Sequence, residues 1–192
     1  AKKVFAQHPY HIATIRMVGK AGGFDHQLIA YYFPSKADLF EAVISVACDD
    51  FYNASQGWFE GLDQVGIEDG FRLFVERLLE YFSKNPGPFR MTALNAPMTE
   101  RLDELPGYQH MVEMRSKVRD TFKKNLPPSV DQAMLERFTM TFDIAVYSYL
   151  GAAHSKAEIL GMDPASEEYI SWVKETLISL FLAMLKKLIF PE

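Results

Sequence analysis

The side chains best equipped for chemistry stand close together near the N-terminus. The stretch TIRMVGKAGGFDHQLIAYYFPSK, residues 14 to 36, holds Thr14, Arg16, His26, Gln27, Tyr31, Tyr32 and Lys36. These are hydrogen-bond donors and cations, suited to holding anions and reading polar edges. The patterns of bond-breaking chemistry are missing. There is no G-x-S-x-G, no Walker loop, no H-E-x-x-H and no paired-cysteine metal site. His8 and His11 are three apart, but Pro9 between them breaks helical geometry, so they read as surface residues. The lone Cys48 reads as a small core residue. No catalytic residue, cofactor or metal is expected.

The local sequence says how these side chains are held. Thr14 suits the N-cap of a short helix, IRMVGKA, with Ile15 and Val18 turned inward. Gly22-Gly23 ends that helix, Phe24 packs in the turn, and Asp25 can cap a second short helix, HQLIAYY. Pro34 stops this helix and pushes Phe33 out of the α region. Ser35 and Asp38 form the S-x-x-D pattern of a capping box, so a long helix starts near Ser35. Two short helices joined by a glycine-containing turn make a helix-turn-helix, whose second helix enters the major groove of DNA. Its outward residues would be His26, Gln27, Ala30 and Tyr31. Leu28 would border the groove, and Ile29 and Tyr32 would turn toward core or backbone.

Over residues 1 to 45 the chain resembles the TetR (tetracycline repressor) family, most clearly in TIRMVGKAGGFDHQLIAYYFPSKADLF. The resemblance implies a role for each matching position. Thr14 would hold a phosphate at a helix start, and Arg16 would reach a phosphate or a guanine edge. His26, Gln27 and Leu28 would meet bases, Gln pairing with adenine and Leu touching a thymine methyl. Tyr31 and Tyr32 would offer hydroxyls to phosphate with their rings braced on the bundle, and Lys36 would add a charged contact. Ala21-Gly22-Gly23-Phe24-Asp25 stands where the family has Ala-Ala-Gly-Val-Ser. Ala30 replaces the usual Tyr, Gln27 replaces the frequent Gly, and no basic N-terminal arm is visible. These departures bear on base preference more than on fold.

Composition sets the outer bounds. The chain has 192 residues, 48% hydrophobic and 14% aromatic, as in a globular protein with a sizeable core. A single cysteine forbids an intrachain disulfide and fits a cytoplasmic location. No uncharged apolar run reaches the ~18 residues of a membrane span, and no secretory signal is visible. Residue 1 is an alanine inside a helical pattern, so the natural chain is expected to start upstream. Net charge is −5, unevenly spread. Residues 1 to 45 carry five cations and three acids, net +2, while the rest carry 15 and 22, net −7. A mildly basic head sits on an acidic body.

Strand signals are nearly absent and helical periodicity is widespread. The spacing of Gly and Pro, Pro97 included, predicts an all-α chain of about nine helices. Its head would span residues 1–45, and an effector-binding and dimerisation body residues 46–192. Apolar stripes run through Leu39, Val43, Val46, Ala47 and Phe51, through Phe71 to Phe82, and through Leu135 to Tyr149. The last helix shows two stripes, so it is buried on two sides or packs on a second copy of the chain. Met91, Leu94, Met98, Met111, Met114 and Phe122 suggest either a plain core or an adaptable cavity for an apolar or aromatic effector. Arg115, Phe142, Asp143 and Tyr149 are further candidates to line it. The resemblance implies a DNA-binding transcriptional regulator, most often a repressor, that binds a pseudo-palindromic operator as a homodimer. Dimer contacts are expected from the last two helices, about 131 to 160 and 166 to 189. The rival reading is a small-molecule-binding helical protein that has lost sequence-specific DNA binding.

Overall fold

The computed structural model describes residues 1–95 and 102–190, so Pro97 and Met98 lie outside the described residues. Among the described residues every regular element is helical. The α-helices are α1 (Lys2–Phe5), α2 (Ile15–Gly22), α3 (His26–Tyr32), α4 (Lys36–Gln56), α5 (Ile67–Lys84), α6 (Pro86–Asn95), α7 (Tyr108–Lys124), α8 (Gln132–Val146), α9 (Ala153–Leu160) and α10 (Glu167–Ile189). None of them is long and apolar enough to cross a membrane.

The all-α expectation holds, with one helix more than the nine expected among the described residues. The segment 131 to 160, expected as one helix, is divided. After Val146 the backbone widens into a π-turn, Tyr147–Gly151, before α9 begins. The carbonyl of Tyr149 accepts a hydrogen bond from the Tyr169 hydroxyl at 2.7 Å. Gly151 lets α6 come close: a Cβ there would stand 2.5 Å from the Phe89 carbonyl oxygen and 2.6 Å from the Ala93 Cβ. A π-turn rotates the chain beyond it and spoils the regular period, so periodicity could not show the break.

Two apolar clusters form. The larger joins α5, α8 and α10, with Trp58 and Phe59 from the turn after α4. Its centre is a chain of rings. Phe122 stacks on Phe138 at 5.6 Å, Phe138 on Phe142 at 6.1 Å, and Phe142 meets Phe181 edge-on at 5.1 Å. The smaller cluster holds Val4, Phe5, Val18 and Ile29 of the head, the buried face of α4, and Met91, Leu105, Met111 and Met114 of the body. Helix α4 therefore runs straight through the expected division at residue 45, and Phe51 packs against both clusters. In its buried stripe Ile44 takes the place expected for Val46, which is 48% exposed.

The closeness of α6 to the π-turn makes a stability prediction. Gly151→Val should destabilise the fold by about 1–3 kcal/mol through overpacking. Urea unfolding should show a lower midpoint with unchanged slope.

Candidate nucleic-acid interface and effector groove

The caps are where the sequence places them. Thr14 Oγ1 accepts from the Met17 N–H at 3.2 Å, and Asp25 Oδ1 from the Gln27 N–H at 2.9 Å. Gly23 closes α2 at φ 70°, a left-handed conformation that glycine adopts without Cβ strain. The two helices meet almost backbone to backbone: a Cβ on Gly19 would lie 2.9 Å from the Phe24 carbonyl oxygen and 3.2 Å from the His26 nitrogen. Phe24 lays its ring over Gly22, where any side chain would overlap it. Short turns and small residues thus set the angle at which α3 leaves α2.

Helix α3 is anchored by one side chain. Ile29 is buried, whereas His26, Gln27, Leu28, Ala30, Tyr31 and Tyr32 are exposed. The outward placing of His26, Gln27, Ala30 and Tyr31 agrees with the sequence reading. Tyr32 differs. It is 68% exposed and Tyr31 80%, and their rings meet edge-on at 5.1 Å. They brace each other and not the bundle, because α3 is too short for a second buried turn. Phe33, extended at φ −126°, is the aromatic that turns inward.

Charge follows the same economy. Asp25 and Asp38 are both engaged within the head. Asp25 caps α3 and lies 3.2 Å from His26 Nδ1. Asp38 accepts from the Ser35 hydroxyl at 2.7 Å, while Ser35 caps α4 by accepting from the Asp38 N–H at 3.2 Å. Arg16 and Lys20, four apart on α2, are exposed. Lys36 has a structural duty: its ammonium donates to the Tyr10 carbonyl at 2.7 Å and lies 4.3 Å from the Tyr10 ring centroid. It ties the segment before α2 to the start of α4.

A narrow groove, partly open to solvent and with a free volume of about 30 Å³, lies between α4, α6 and α7. Ile44, Ala47, Cys48 and Phe51 form one wall, Phe89, Met91 and Thr92 a second, Met111 and Met114 a third, with Tyr147 at its end. A neighbouring hollow shares Ile44, Met91, Thr92 and Met111 and adds Leu105, Tyr108 and Arg115. Of the residues suggested for a cavity, Met91, Met111, Met114 and Arg115 line these two hollows. Phe122 and Phe142 do not, since both belong to the aromatic chain of the larger cluster. Tyr149 packs edge-on against Trp172 at 5.5 Å, and Leu94 does not line the groove. The α4 wall was missed because its residues look like an ordinary core stripe. Nothing local distinguishes a stripe facing a gap from one facing a filled core.

Asp143, on α8, does not line the groove. Burial raises its pKa to about 6, with the Arg115 charge pulling the other way. Burial, and then the nearby Asp143, push the Tyr147 phenol up to about 12. A carboxyl raised in the folded state weakens folding as it ionises, so the loss grows from about pH 4 to pH 6 and is complete above. Asp143→Asn should accordingly gain on the wild type by up to about 3 kcal/mol between pH 4 and pH 7. Urea melts of both proteins at the two pH values measure this.

Similarity to known proteins bears on the head. The pattern of the bacterial regulatory proteins of the tetR family matches residues 1–43. A stretch of 95 residues, 48% of this chain, is 33% identical to the nucleoid occlusion factor SlmA of Glaesserella parasuis serovar 5 (strain SH0165). That match covers 43% of the relative, less than half of its length. No solved structure matches the chain significantly. Two capped helices crossing at Gly19, an α3 turned outward from one buried residue, and a match over residues 1–43 agree: the head is similar to that of the tetR family of bacterial regulatory proteins.

Proposed function

We propose that the protein is a cytoplasmic transcriptional repressor that binds a pseudo-palindromic operator as a homodimer and releases it when a small effector enters the body. The observation that carries the reading is α3, which presents every side chain but Ile29 to solvent. A helix anchored so lightly, with Leu28, Tyr31 and Tyr32 on its exposed side, is suited to lie against a partner surface. In the major groove His26, Gln27 and Leu28 would meet base edges. Thr14, Arg16, Tyr31, Tyr32 and Lys36 would flank them on phosphates. Residues 1–45 would serve as the reading head and 46–192 as the effector-binding and dimerisation body.

Two features support control by an effector and a partner copy. The groove walls Ile44, Ala47, Cys48, Met91, Met111 and Met114 belong to the same apolar cluster as the head. A ligand that prefers a different spacing of α4 and α7 lowers DNA affinity by linkage. On the far side, α8 and α10 expose Met140 (69%), Ile144 (65%) and Leu180 (56%), side chains of the kind a dimer seam covers. Ile144→Arg should convert dimer to monomer in sedimentation velocity.

Selection of duplexes from a random pool at low and at moderate salt tests the whole reading. The expected result is an enriched pseudo-palindrome whose half-sites are ~34–36 Å apart, with a log–log salt slope near −0.9 per phosphate contacted. Gln27→Ala should change the preferred base at one position per half-site. Tyr31→Phe should weaken all duplexes alike without altering stability. No enrichment at either salt from a folded dimer would favour the small-molecule carrier.

A further inference from the structure

We propose that the effector is an amphipathic carboxylic acid, with its apolar body between α4, α6 and α7 and its carboxylate on Arg115. The inference rests on the reading of the body as an effector site.

Arg115 is the charged residue that lines this pair of hollows. Its Nε is buried and has no hydrogen-bond partner among the described residues. A buried polar group left unmatched is costly, and a ligand that matches it gains accordingly. The rest of the guanidinium is held in place. It lies 5.3 Å from the centroid of the Tyr147 ring. The titratable groups near it are Tyr147, Asp143 on α8, Tyr108 on α7 and Cys48 on α4. Asp143 attracts Arg115 electrostatically, yet the two form no ion pair within 4 Å. Among the described residues, then, a fixed cation stands here without a carboxylate on its fork.

The chemistry of the walls narrows the class further. Ile44, Met91, Met111 and Met114 offer dispersion contacts to a hydrocarbon or ring and no donors. A single guanidinium fork fits a carboxylate, which it can bind through two parallel hydrogen bonds. A phosphate dianion would bring more charge than one cation balances, and the nearby Asp143 would repel it more strongly than a monoanion. A wholly apolar effector would leave the Arg115 Nε unmatched.

Titration calorimetry of the full chain with decanoate and with decan-1-ol, which differ in the acidic head, tests the assignment. Decanoate should bind about tenfold tighter than decan-1-ol. Arg115→Met should abolish that preference while leaving decan-1-ol affinity within about twofold. Equal binding of the two probes by the wild type, or a preference that survives in Arg115→Met, would overturn the carboxylate assignment and leave the effector site standing. Binding of neither probe would overturn both. Circular dichroism checks the fold of the variant. If Arg115→Met does not fold, Asp143→Asn decides: removing the competing anion should tighten decanoate severalfold with decan-1-ol unchanged, and an unaltered decanoate affinity counts against the proposal.

Discussion

Helix α4 must satisfy two apolar clusters with one set of side chains. Its first half buries Leu39, Phe40, Val43, Ile44 and Ala47 in the cluster that also contains the head. Further along, Phe51 meets Trp58 at 5.3 Å, Tyr81 at 5.6 Å and Phe89 at 5.8 Å. The start of α7 presses on the same helix. Gly107, at φ 78°, lies so close that a Cβ would touch Ile44 at 3.0 Å. Close-packed interiors do not deform continuously. A displacement of α6 or α7 must therefore be taken up by α4, and α4 carries the head.

The head spends little of its polar surface on itself. Its two acidic caps satisfy backbone or hydroxyl donors, which leaves α3 without an exposed uncompensated carboxylate. Two of its cations are engaged, since Lys2 pairs with Asp50 at 3.2 Å and Lys36 binds the chain segment before α2. A phosphate contact from Lys36 would compete with that bond or share it, because an ammonium has three donors.

In the body, aromatic stacking fills the space between α5, α8 and α10, while the space beside α4 is lined by methionines and holds one guanidinium. The contrast follows from shape. Flat rings tile well between long helices, whereas the short α6 and the π-turn leave an irregular gap that flexible thioethers suit better. The polar cost of Arg115 and Asp143 is concentrated at this one place. Residues whose protonation is displaced by burial cluster at sites that bind.

What could be read from the sequence was local. Thr14, Asp25, Ser35 and Pro34 act through backbone groups two or three residues away, so their caps and stops are legible without a third dimension. The inward faces of α5 and α8 were legible for the same reason, because a helix repeats regularly. The outcomes that depended on distant partners were not. The break at Tyr147–Gly151 requires α6 to approach Gly151 and Tyr169 to claim a carbonyl. The exposure of Tyr32 requires knowing how far α3 lies from the bundle. The groove requires that Ile44 and Cys48 face Met91 and Met111 across a gap, so that residues far apart in sequence meet there. Periodicity states which side of a helix is apolar. Only tertiary structure decides whether that side meets a filled core, an empty groove or a second chain, because that depends on the packing of elements whose contacts no local pattern records.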